Sequence, residues 1–125
     1  MSKFLSDEFF NDLQRALSGD AKWTESTMGV KTTILMKATG TGEGHLLSVN
    51  EGTTSIQRAQ EGTTAEFSFE GSYDAWSKVA KGEMDMQSAV LKGQLKFEGS
   101  ITKILMYRDR FMRIAELMKD IQKEF

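Results

Sequence analysis

With 125 residues, 39% of them apolar and 27% charged, the chain is sized and composed for one folded domain with a single core. Its formal charge of -2 offers no excess of Lys and Arg to neutralise a phosphate backbone, which argues against a nucleic-acid partner. Cysteine is absent, so disulfides, thiolate metal sites and a cysteine nucleophile are excluded, in keeping with a reducing compartment.

The opening residues Met1-Ser2-Lys3-Phe4-Leu5-Ser6-Asp7-Glu8 contain no long apolar h-region, and no later run approaches the ~18 apolar residues of a membrane span. Lys123-Glu124-Phe125 is unlike the common peroxisomal tripeptide, so the expected location is the cytoplasm. Ser6 is a good N-cap, and Asp7 and Glu8 suit a helix N-terminus. Apolar residues then recur at Phe9, Phe10, Leu13, Ala16 and Leu17, which predicts an amphipathic helix ending near Gly19. Residues 28–39 carry Val30, Ile34, Leu35 and Met36 among threonines and read as a strand. A glycine-rich connection at 39–44 and a turn at 50–52 separate two further strands, 45–49 and 53–59. A fourth strand, 65–70, alternates Phe67 and Phe69 against Glu66 and Glu70, with one face buried and one wet.

From Ser72 the period changes. Tyr73, Trp76, Val79 and Ala80 fit a short helix stopped at Gly82. Asp85 caps a second, with Met86, Ala89, Val90 and Leu91, stopped at Gly93 before the strand 94–98. Steps of three and four then run through Ile104, Tyr107, Phe111, Ile114, Met118, Ile121 and Phe125, broadened by Ile101, Leu105, Met112 and Ala115. They predict one long closing helix. The sum is an α+β fold, one domain, with a single face of the sheet covered.

Residues 67 to 82, Phe67-Ser68-Phe69-Glu70-Gly71-Ser72-Tyr73-Asp74-Ala75-Trp76-Ser77-Lys78-Val79-Ala80-Lys81-Gly82, continue into Ala89-Val90-Leu91-Lys92-Gly93-Gln94-Leu95-Lys96-Phe97-Glu98-Gly99. This stretch resembles the sterol carrier protein family. The likeness covers residues 65 to 101 well and the N-terminal half in element order more than in identity. It implies a lipid-binding domain over residues 1–125, with a five-stranded mixed sheet, helices on one face and an apolar tunnel between them. Such a tunnel would accept a sterol, fatty acid, acyl-CoA, phospholipid or isoprenoid-like lipid, with no catalytic residue and no cofactor. Carried onto this sequence, the family's tunnel positions are Trp76, Val79, Met86, Val90, Ile101, Leu105 and Met112. An alternative is an accessory interaction module of the same fold, its cavity filled by its own side chains, assisting an enzyme of a lipid or quinone pathway.

Other features weigh against chemistry. The spacing Gly40, Gly42, Gly44 is followed by a strand rather than the helix that a phosphate loop requires, so it reads as a hairpin connection. His45 is the only histidine, which rules out a paired-histidine metal site, and its place at a strand end reads as surface. Of the eight methionines, Met84, Met86, Met106, Met112 and Met118 fall in the helical cover, where flexible thioethers suit either an adaptable pocket or gaps in a core. Lys103, Arg108, Arg110 and Arg113 could make transient contact with an anionic membrane surface, but Asp109, Glu116, Asp120 and Glu124 stand among them. The chain is expected as a monomer or weak dimer.

Overall fold

The computed structural model describes residues 2–40 and 44–125. Among them are six helices and one five-stranded sheet, the α+β architecture anticipated above. Strand β1 (Ser2–Lys3) precedes α1 (Asp7–Ser18), whose N-cap Ser6 accepts a hydrogen bond from the Phe9 amide at 3.2 Å. The buried face of α1 is Phe9, Phe10, Leu13 and Leu17, as the periodicity predicts. Helix α2 (Ala21–Ser26) was not legible from periodicity, because it is a single six-residue stretch with Trp23 as its one large apolar anchor. Its signal is the cap: Asp20 accepts from the Trp23 amide at 2.8 Å.

The sheet runs β4-β3-β2-β5-β6, with β2 (Lys31–Ala38), β3 (Gly44–Asn50), β4 (Thr53–Ala59), β5 (Phe67–Gly71) and β6 (Leu95–Glu98). It is mixed because β2 and β5 pair in parallel while the other neighbours are antiparallel. The β3–β4 turn is set at Glu51 and Gly52, both with positive φ (50° and 89°), matching the two-residue hairpin turn whose twist suits the flanking strands. The expected connection around residues 41–43 lies outside the described residues.

Alternation sends Ile34 and Met36, Leu47 and Val49, and Phe67 and Phe69 toward one face, where α1, α3 (Tyr73–Ala80) and α6 (Arg108–Asp120) cover them. Phe111 of α6 meets Phe67 and Phe69 edge-on at 5.3 Å in each case. Gly71 opposes Leu95 across β5 and β6, and a Cβ there would displace the buried Leu95 side chain and press on the Gln94 carbonyl, so glycine suits this close approach of the edge strand. Helix α4 (Met86–Leu91) follows α3, each capped as predicted, by Asp85 and Ser72.

The single closing helix of the sequence reading is corrected. It is two helices, α5 (Ile101–Met106) and α6, joined at Tyr107, followed by a strand β7 (Lys123–Glu124) that pairs in parallel with β1. Tyr107 sits between the helices, its ring 5.2 Å from Phe67 with the Arg110 guanidinium 4.7 Å above it. This tertiary anchor redirects the chain without the Gly or Pro that would announce a break. Among the described residues no helix is long and apolar enough to cross a membrane.

Candidate functional site

A cavity of about 310 Å³ opens between the ends of β2 and β3, the N-terminal segment, α1, α3 and α6. Its walls are mainly apolar: Phe4, Leu5, Phe10, Met36, Trp76 and Met118, with Lys3, Ser6, Lys37, Thr39, His45 and Tyr73 supplying the polar part. Trp76 is buried on α3 and donates its indole N–H to the Lys37 carbonyl at 2.8 Å. That bond satisfies a buried donor and fixes the ring as a wall while leaving its apolar body to the cavity.

The N-terminal wall is a strap. Its hold is the short β1–β7 ladder, extended by the Phe4 amide donating to the Glu124 carbonyl at 2.8 Å. Phe4 packs against Phe9 at 5.0 Å, Tyr73 at 5.5 Å and Phe125 at 5.0 Å between ring centroids. Leu5 turns the strap into α1 with φ of 63°, a left-handed conformation that costs a leucine about 1–2 kcal/mol and is held here by the contacts on either side.

His45, expected at the surface, is instead buried at 4% exposure, since it alternates in phase with Leu47 and Val49 on the covered face. Its ring stacks on Phe10 at 3.9 Å, and Nε2 lies 2.9 Å from the Asp7 Oδ1. Arg58 reaches the other Asp7 oxygen at 3.1 Å. The His45 hydrogen bond first, then that from Arg58, holds the Asp7 carboxyl below its ordinary range, so the carboxylate is ionised and engaged at neutral pH. Among the described residues no group of His, Cys, Asp and Glu could hold a metal ion.

The seven positions carried over from the resemblance do not converge on one wall. Trp76 lines the cavity beside the N-terminal segment. Val79 and Met112 meet at a second hollow of about 180 Å³, between the α3–α4 connection and α6, with Met84 and Ala115. Met86 is buried in the core and Val90 packs half-buried against it. Ile101 and Leu105 are 65% and 64% exposed on α5, where only Ile104 of that helix turns inward. The cavity walls that the sequence reading did not assign to a pocket are Phe4, Leu5, Phe10, Met36 and His45, while Met118 is one of the methionines it left between pocket and core. Phe4 and Leu5 did leave a trace, as large apolar residues standing just before the Ser6 cap, where a side chain folds back onto the helix it precedes.

The geometry agrees with what known proteins show. The sequence model of the SCP-2 sterol transfer family matches residues 10–111. No curated protein matches the sequence. Among solved structures, a crystal structure of sterol carrier protein 2 superposes with a TM-score of 0.84 at 14% identity, covering 96% of this chain and all (100%) of that one. A conserved hypothetical protein from Thermus thermophilus, described as possibly a sterol carrier protein, gives 0.81 at 13% identity, over 99% of this chain and 93% of that one. A UbiJ-SCP2 ubiquinone synthesis protein gives 0.62 at 14% identity, over 91% and 90%. At these identities the structures speak for the fold, and the family match over most of the length settles kinship: the chain belongs to the SCP-2 sterol transfer family.

Proposed function

We propose that this protein binds one lipid tail reversibly in the cavity beside Trp76 and passes it on chemically unchanged, in the cytoplasm, without a cofactor. The observation that carries this reading is the cavity itself. A hollow of about 310 Å³ that opens at a rim containing Lys3, Thr39 and Tyr73 and is backed by Phe4, Phe10, Met36, Trp76 and Met118 has the size of a small-molecule pocket and a mainly apolar lining. Its apolar back favours an apolar guest. Burial of the tail stabilises the complex by about 25 cal/mol per Å² of apolar surface, whatever the detailed shape of the tail. Membership in a sterol transfer family supports a lipid as the guest.

In this reading Trp76 keeps its expected role as a wall. Val79 and Met112 extend the binding path into the second hollow for longer tails, Met86 and Val90 back the wall from the core, and Ile101 and Leu105 lie outside it. A second reading has one observation in its favour: α5 leaves Ile101, Leu105 and Met106 exposed at 65%, 64% and 69%. There the domain is an accessory module whose α5 meets an enzyme of lipid or quinone metabolism; a UbiJ-SCP2 ubiquinone synthesis protein shares the fold.

Native mass spectrometry of the purified protein, followed by solvent extraction, separates the two. The carrier reading expects a co-purifying lipid of defined mass, or uptake of added tetradecanoate by emptied protein. It also expects Met36→Trp, which fills the cavity, to weaken that uptake by at least about tenfold. A wild-type protein that neither carries nor takes up a lipid would sink the carrier and leave the accessory module.

A further inference from the structure

The two edges of the sheet are finished differently. Strand β4 ends one edge, and there the Ile56 amide donates to the side-chain carbonyl of Gln14 on α1 at 2.8 Å, so the neighbouring helix caps the middle of that strand. Strand β6 ends the other edge and pairs only with β5. The carbonyl of Gly71 on β5 accepts the Thr39 amide at 2.8 Å, which turns the Gly71 backbone groups toward β2 and away from its partner Leu95. In such an antiparallel pair the opposed residue faces away too, so by alternation Leu95 and Phe97 aim their N–H and C=O groups off the edge of the sheet. Among the described residues nothing is bonded to those two amides. Unpaired groups in a row are a template for another strand.

The side chains of β6 suit one such strand, a second copy of itself. Lys96 and Glu98 are exposed, opposite Glu70 and Ser68 of β5, and their charged ends lie 4.0 Å apart. Two β6 strands running antiparallel about a two-fold axis at Phe97 would make Phe97 and its symmetry mate a hydrogen-bonded pair, as the outward backbone groups require. That register sets Lys96 of each copy opposite Glu98 of the other, in the pairs where side chains lie closest. Moving the axis to Lys96 would still use the outward groups, by pairing Leu95 with Phe97, but it would set Lys96 against Lys96. Charge therefore selects the first register. Antiparallel pairing also brings the end of one β6 that follows Leu91 beside the end of the other that leads into α5. Leu91 and Ile101, 85% and 65% exposed, supply apolar surface at those ends.

We propose that two copies of this chain associate through β6, joining their five-stranded sheets into one continuous sheet, with Lys96 and Glu98 paired across the axis and Leu91 and Ile101 covered at its ends. The association stands apart from the cavity, which none of these residues lines. It covers the start of α5 with a second copy of the chain rather than with an enzyme. Each joined strand is four residues long, so the dimer is weak and reversible.

The test is sedimentation equilibrium of the full chain at concentrations up to about 1 mM, at low salt. The expected result is a reversible dimer that Lys96→Glu and Glu98→Lys each weaken by about tenfold, because either change alone puts two like-charge pairs across the axis. The double variant Lys96→Glu with Glu98→Lys restores opposite charges and should regain the wild-type dimer. Exchange of the Phe97 amide should slow as the wild-type concentration rises. Circular dichroism should be the same for all four proteins, since both side chains are exposed. A wild type that stays monomeric at the highest concentration overturns the proposal, and so does a dimer indifferent to the single reversals. Two weakening reversals whose combination fails to recover would also overturn it, since the strands would then not meet about Phe97.

Discussion

The two tryptophans are both 1% exposed and both donate the indole N–H at 2.8 Å, yet they sit in opposite kinds of surroundings. Trp23 gives its proton to the Thr54 hydroxyl and lies in a region where α2 is strapped to α6, Asp20 being bonded by Arg113 and the Ser26 carbonyl by Arg110 at 2.9 Å. Trp76 has the same burial and the same satisfied donor, but it stands at the back of the hollow beside the N-terminal segment. Burial and hydrogen bonding therefore do not distinguish a tryptophan inside the packed core from one at the back of a hollow. The distinction lies in what stands around the ring's immediate neighbours, and only the tertiary arrangement decides that.

The strongest way to break this comparison is truncation on the packed side. Trp23→Ala should lower the unfolding free energy by about 3–5 kcal/mol in urea titration, while the variant that remains folded still binds tetradecanoate. Loss of binding at constant fold would erase the distinction between the two sides.

Next in size is Asp20→Ala, which removes both the cap of α2 and the half-buried partner of Arg113, with an expected cost of about 2–3 kcal/mol at neutral pH. The Arg113 hydrogen bond is the main reason the Asp20 carboxyl is held below its ordinary value of 3.8. A depressed native pKa means that the stabilisation is fully present above 3.8 and is lost as pH falls below it toward the native value. The difference between wild type and variant, followed by chemical denaturation across acid pH, should shrink in that window; a constant difference would assign the loss to the cap alone.

The smallest expected effect is a gain. Glu51 occupies the first central position of the β3–β4 turn with φ of 50°, and its 4.0 Å ion pair with Lys31 is exposed. Glu51→Asn should therefore stabilise the domain by about 0.5–1 kcal/mol in the same titration, with tetradecanoate affinity unchanged, because the turn belongs to the packed side.

Much of the fold was legible because its signals are local. The caps Ser6, Ser72 and Asp85, the alternation of Phe67 and Phe69, and the turn at Asn50-Glu51-Gly52 each act within a few residues, and the structure keeps them all. Helix α2 escaped because six residues hold too little periodicity to register. The break at Tyr107 escaped because its cause, the packing of that ring on Phe67 some forty positions earlier, has no local mark. His45 is hidden for the opposite reason: its strand is plain in the sequence, but a polar residue at a strand end carries no local mark that its phase with Leu47 and Val49 turns it inward.

For the site, the sequence by itself determined the family, the α+β order and a helical cover rich in large apolar residues, since these follow from patterns that repeat at short range. Which of those residues line a void was decided by the tertiary structure alone. Trp76 and Met118 come to face a cavity, while Ile101 and Leu105, equally apolar and equally periodic, face solvent. Periodicity states which side of a helix is apolar; the angle at Tyr107 and the β1–β7 clasp on Phe4 determine what that side meets. A cavity is the space left between elements from distant parts of the chain, so no single stretch of sequence encodes it.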